Sequence, residues 1–139
     1  MFKKYFSLDK SSEFKKRESV MEKSEEVFYL ELLKQLPDGF YVFPKMRVAD
    51  IIETTSGRGY YSHRNEILPK HIDFLICNSF FHPILAIELN GSSHMRNDRK
   101  DSDKEKKEIF EFIELPLEFV NVGTNFDYDI SGLINKYLV

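Results

Sequence analysis

KHIDFLIC (Lys70 to Cys77) and PILAIELNGSSH (Pro83 to His94) are two apolar runs separated by a short turn-forming segment, Asn78 to His82. Each has the length and side-chain character of a buried strand, and each carries one carboxylate in its interior, Asp73 and Glu88. A buried carboxylate costs several kcal/mol unless a cation or hydrogen-bond donors meet it. If the runs form an antiparallel hairpin with Cys77 facing Ile84, then Ile76 faces Leu85, Phe74 faces Ile87 and Asp73 faces Glu88. Directly opposed residues have β-carbons about 4.5 to 5.5 Å apart, a gap that one hard cation bridges. Alternation places Asp73, Leu75, Cys77, Ile84, Ala86 and Glu88 on one face, with Ile72, Phe74, Ile76, Leu85, Ile87 and Leu89 on the other. Both faces are apolar away from the acids, so the hairpin is expected at the centre of a sheet.

Outward from the hairpin, the chain alternates helix and strand patterns. SVMEKSEEVFYLELLKQLPDG is the strongest helix, with Ser19 and Glu22 at capping-box spacing and an apolar stripe of Phe28, Tyr29, Leu32, Leu33 and Leu36. Pro37-Asp38-Gly39 ends it. FYVFPKMRVADII reads as extended, broken or bulged at Pro44. Residues 53–69 read as a loop, and their basic members Arg58, His63 and Arg64 make it a candidate substrate-facing segment. After the hairpin, RKDSDKEKKEIFEFIE is a helix that is charged first and amphipathic later, LEFVNV a strand, and ISGLINKYLV a closing helix. The order α-β-β-β-α-β-α predicts an α/β domain with a mixed central sheet flanked by helices. Residues 1–18 read as a polar arm and residues 19–139 as a single domain.

Composition fits this reading. The chain has 139 residues, 42% hydrophobic and 31% charged, with 13 Phe and 7 Tyr supplying core volume in the absence of Trp. One cysteine, Cys77, forms no internal disulfide, and the expected setting is reducing and cytoplasmic. No run approaches the roughly 18 apolar residues of a membrane span, so no membrane association is expected. A structural zinc site built on Cys77 is a poor match to known ligand spacings. The formal net charge of -3 argues against a protein that coats nucleic acid, yet an enzyme with an acidic metal site and a basic rim fits it.

An oxygen-rich site suits Mg²⁺ or Mn²⁺. Glu25 lies three, four and seven residues before Phe28, Tyr29 and Leu32, hence on the helix face that meets the sheet, and it is the candidate third acid. Glu22 lies one turn earlier on that face, whereas Glu26 aligns with Leu30 and Leu33.

A helix glutamate, a strand aspartate and a second strand with Glu-x-Lys or a variant together resemble the PD-(D/E)XK, or restriction-endonuclease-like, nuclease superfamily. More closely, FPKMRVADII, KHIDFLIC, PILAIELNGSSH, DRKDSDKEKK and ELPLEF resemble the bacterial domain of unknown function 2726, a Vsr-like branch, from about Ser24 to Val122. The resemblance implies a restriction-endonuclease-like core and divalent-metal hydrolysis of phosphodiesters, with DNA in a bacterial or phage cytoplasm as the expected partner. It further implies Asp73 and Glu88 as metal ligands, joined by the backbone carbonyl of Leu89.

The sequence departs from the superfamily at Asn90, two residues after Glu88, where lysine is usual. Asparagine supplies no positive charge to an attacking water or a transition state. Lys70 is the substitute expected to stabilise charge, and His94 the group expected to act as general acid or base. Arg96 and Arg99 are candidate phosphate contacts, because guanidinium presents paired donors. Lys104, Lys106 and Lys107 are interleaved with acids and read as a solvated helix face with ion pairs. Asn90 also supports a competing expectation, a catalytically silent nuclease-fold domain that binds nucleic acid or a protein partner. A small-molecule phosphoesterase is disfavoured by the lack of a Gly-rich phosphate loop. The sequence sets no oligomeric state.

Overall fold

The computed structural model describes residues 13–53, 67–91 and 97–139, with residues 97–100 described by backbone alone. Three helices, four strands and one 3-10 turn are formed among the described residues, in the order α1 (Lys23–Gln35), β1 (Tyr41–Arg47), the turn Val48–Asp50, β2 (His71–Cys77), β3 (Pro83–Asn90), α2 (Asn97–Phe112), β4 (Leu117–Asn121) and α3 (Phe126–Tyr137). The sheet order is β1-β2-β3-β4. β1, β2 and β3 run antiparallel, and β4 joins β3 in parallel after the α2 crossover. The chain is therefore mixed α/β with a mixed sheet, and the β2–β3 hairpin is central as expected.

α1 begins later than Ser19 and Glu22 predict. Its cap is Glu22, and Glu25 at the third helical position accepts the Glu22 N–H at 2.8 Å through Oε1, the return half of a capping box. Ser19 instead turns on Met21. Pro37 disfavours helical backbone at Leu36, which is extended (φ -62°, ψ 121°), and Gly39 takes the left-handed φ of 89° in the turn that leads to β1. Phe28 and Leu32 are buried, with Tyr29 and Leu36 packed beside them, whereas Leu33 is exposed on the Leu30 side.

Two apolar clusters sandwich the sheet. α1 and α3 cover one face, packing Phe28, Leu32, Ile130 and Ile134 on Phe74, Ile76, Leu85 and Ile87. On the other face, Phe110 of α2 and Val48 of the 3-10 turn meet Leu75, Cys77 and Ala86. Full burial of each such aliphatic or aromatic side chain contributes about 1.5 to 3 kcal/mol.

The hairpin pairs Phe74 with Ile87, Leu75 with Ala86 and Ile76 with Leu85, as alternation predicts. At its turn the pairing shifts, because Cys77 pairs with Pro83 rather than Ile84. The bulge sends Ile84 to the α1/α3 side instead of the Ala86 face. Asn78 closes the turn by accepting the N–H groups of Phe80 (2.9 Å) and His82 (3.0 Å) through Oδ1. Ile72 also departs from the expected alternation and packs with Val48 and Ile67 on the α2 side. That change of side occurs beside Lys45, whose left-handed backbone (φ 53°) interrupts β1 between the pairs Pro44–Phe74 and Met46–Ile72. The segment Val48–Asp50, expected as extended, is the 3-10 turn.

α1 and α3 are tied by one side chain. Gln35 Nε2 donates to Asp127 Oδ1 (2.7 Å) and to its carbonyl (3.1 Å), while Gln35 Oε1 accepts from Ser131 Oγ at 2.7 Å. Gln35→Ala is expected to lower unfolding free energy by about 1 kcal/mol, read by urea titration, because the site is partly solvated. No described helix is long and apolar enough to cross a membrane.

Candidate metal centre

The acids of the hairpin meet at the end of the sheet remote from the β2–β3 turn. Continuing the observed register brings Asp73 opposite Glu88, and the side chains cross. The Asp73 N–H donates to Glu88 Oε1 at 2.9 Å, and the Leu89 N–H donates to Asp73 Oδ2 at 2.8 Å. Each carboxylate thus accepts a main-chain donor from the opposite strand. Leu89, expected through its carbonyl, enters this arrangement through its N–H.

Glu25 approaches the same point from α1, near enough for its charge to raise the proton affinity of Asp73. It is buried and paired to Lys45 Nζ at 3.3 Å. The helical spacing that put Glu25 on the sheet-facing stripe is borne out.

Two lysines dominate the other side. Lys106 of α2 is only 7% exposed and places Nζ 3.0 Å from Glu88 Oε2. The expectation of a solvated lysine is therefore corrected: Lys106 lies one helical turn before the core residue Phe110 and shares its inward face. Lys70, at the entrance to β2, is also buried and pairs with Glu105 at 2.5 Å. Adjacent residues of α2 thus grip the bases of two strands. His71, expected to pack or hydrogen-bond, is exposed beside them. Asn90 is half-buried, and its carbonyl continues the β3–β4 ladder by accepting the Val122 N–H at 2.8 Å.

Arg58, Arg64, His63, His94 and Arg96 lie outside the described residues, as does the side chain of Arg99 and most of the polar arm. Lys106 and Lys45 are the site residues that sequence reasoning missed. Spacing to Phe110 was a usable signal for the first; nothing in the sequence marks the left-handed turn that sets the second.

Burial gives Asp73 and Glu88 unusual proton affinity. Glu88 is pushed up from 4.5 to about 7, by burial first and by the charge of Asp73 second, against the pull of Lys106. Asp73 is raised as well, chiefly by burial; the Leu89 N–H opposes this and the Glu25 charge adds to it. The folded protein therefore binds the Glu88 proton more tightly than the unfolded chain does. Between about 4.5 and about 7 the folded state carries the excess proton, so stability falls as pH rises through that window and stays lowered above it. Without divalent metal, the melting temperature is expected to be higher near pH 5.5 than near pH 8, and Glu88→Gln should flatten that difference.

Among the described residues, no three His, Cys, Asp or Glu side chains converge as a ready cage for an ion. The crossed hydrogen bonds account for this, because they hold Asp73 and Glu88 on each other's backbone. Their chemistry still suits a hard cation: the donors are carboxylate oxygens, and an accepting oxygen keeps a second lone pair.

A mixed α/β domain with two crossed carboxylates and a buried lysine at one end of its central hairpin, and a helix glutamate beside them, is the class defined by these features. Residues 17–136 match the family described as "Protein of unknown function (DUF2726)", and the chain belongs to that family. It is also 28% identical over 96 residues to an "Uncharacterized protein" of Haemophilus influenzae, an alignment covering 67% of this chain and 48% of the relative. The chain thus spans about half the length of the curated relative it matches. No solved structure matches it.

Proposed function

We propose that this domain is a divalent-metal-dependent nuclease with a restriction-endonuclease-like core, acting on phosphodiester bonds in DNA. The observation that carries the reading is the crossing of Asp73 and Glu88 at one end of the hairpin, with Lys106 paired to Glu88 and Glu25 nearby on α1. Asp73 and Glu88 would hold Mg²⁺ or Mn²⁺ with the Leu89 carbonyl, and Glu25 would assist directly or through water. When bound, such an ion supplies Lewis acidity and an activated water. The chain's own groups do the rest. Lys106 supplies, from the following helix, the positive charge that Asn90 lacks on the strand. Lys45 borders the acids with its side chain 41% exposed, within reach of a phosphate. Lys70 is committed to Glu105 and anchors α2. His94 remains the proposed general acid or base, and Arg58, Arg64, Arg96 and Arg99 the proposed phosphate contacts.

The test is incubation of single- and double-stranded DNA and RNA with the full chain and Mg²⁺ or Mn²⁺. Cleavage of DNA that chelation abolishes is the expected result. DNA binding without cleavage at stoichiometric protein would favour the silent-domain reading, which the self-satisfied pairs at Glu88 and Lys70 also accommodate.

A further inference from the structure

Lys106 is the residue whose position the proposed chemistry leaves least explained. Its neighbours in sequence are charged, yet its ammonium is buried against Glu88 Oε2 at 3.0 Å. The other oxygen of that carboxylate already accepts the Asp73 N–H. An ion approaching the hairpin acids thus finds the α2 side of Glu88 taken by a monovalent cation of the protein's own. Two cations at adjacent positions on one carboxylate repel strongly in a partly desolvated site.

Resting on the metal-binding reading above, we propose that Lys106 is the resident counter-ion of the site, neutralising Glu88 in the metal-free protein and leaving it when the divalent cation enters. Charge balance supports the exchange. Glu25, Asp73 and Glu88 carry three negative charges when ionised, and among the described residues Lys45 and Lys106 pair with them. The deficit is a single negative charge. A divalent ion overshoots it by one, so entry of the ion leaves one ammonium in excess. The single negative charge of a phosphodiester closes the balance, so the cation that ousts Lys106 also makes that ammonium available to substrate. The displaced side chain has a second partner at helical spacing, because the half-buried Asp103 lies three residues earlier. Metal and phosphodiester should therefore bind with positive coupling, each raising the affinity for the other by the same factor.

Two measurements on the full chain near pH 8 test this. The first is labelling of the wild-type protein with an amine-reactive ester, read by mass spectrometry, with and without Mn²⁺. Lys106 is expected to be protected without metal and labelled with it, while Lys70 stays protected in both. The second is Mn²⁺ affinity by calorimetry. Lys106→Met is expected to bind on the order of tenfold more tightly than wild type, Lys106→Arg close to wild type, and Asp73→Asn far more weakly. If Mn²⁺ binds the wild type but Lys106 stays protected, or if Lys106→Met binds no more tightly, the counter-ion role is overturned and the metal site stands. If Mn²⁺ binds none of these proteins, the metal-site reading falls and takes this one with it. The labelling experiment requires no variant, so a poorly folding Lys106→Met leaves the test intact.

Discussion

Asp73→Asn is expected to reduce metal-dependent DNA cleavage by about a hundredfold or more, while the protein melts near pH 8 at the wild-type temperature or slightly above it. The two effects separate because the amide keeps what the fold needs and removes what the chemistry needs. Its carbonyl oxygen still accepts the Leu89 N–H that Asp73 accepts at 2.8 Å. The negative charge, whose burial and proximity to Glu25 raise the pKa of the native carboxyl, is gone. Removing it relieves repulsion in the metal-free state and takes away a ligand of the proposed metal ion. The checks are a gel-based cleavage assay and a thermal melt on the same preparation. Undiminished cleavage in Asp73→Asn would sink the assignment of this residue, and contaminating nuclease is excluded if the loss persists at high enzyme concentration. Added Mn²⁺ should raise the wild-type melting temperature and leave that of Asp73→Asn unmoved.

Phe74→Ala is the substitution expected to cost most in stability, about 3 to 5 kcal/mol by chemical denaturation. Phe74 is 1% exposed and packs on Phe28 with ring centroids 5.2 Å apart and on Tyr29 at 6.0 Å. It is the point where β2 meets α1. The same substitution acts on the site, because Phe74 adjoins Asp73 in the chain and its ring packs on Phe28, one turn after Glu25 on α1. Activity is therefore expected to fall even under conditions where the variant is folded. A variant as stable as wild type would show that the first cluster tolerates collapse and that the site does not rely on it.

The legible part of this molecule was its periodic part. Alternation in two short apolar runs was enough to pair Phe74 with Ile87 and so to set Asp73 against Glu88, because a slip of one residue would turn the apolar set to the wrong face. Helical spacing placed Glu25 correctly for the same reason. The helix start is ambiguous in sequence, because Ser19 to Glu22 and Glu22 to Glu25 have equal spacing and local sequence does not choose between them. Ile84 was misplaced because Pro83, with no N–H, takes the position opposite Cys77 and forces the bulge. The charged composition of α2 points Lys106 to solvent, and its period points it inward. In a helix this charged, the four-residue step to Phe110 was the better guide. Lys45 depends on a backbone reversal that is tertiary in origin.

Among the described residues β1 is an outer strand of the sheet, and its middle holds Pro44 followed by Lys45 with positive φ. A strand edge of this kind is a poor template for another chain. Proline offers no N–H to an incoming strand, and the reversed residue breaks the row of evenly spaced groups that an added strand would need. A left-handed lysine costs about 1 kcal/mol or more in conformational energy. The same two residues that set a cation beside Glu25 thus guard the domain against edge-to-edge aggregation, so replacing Pro44-Lys45 with β-formers would trade solubility for a smoother strand.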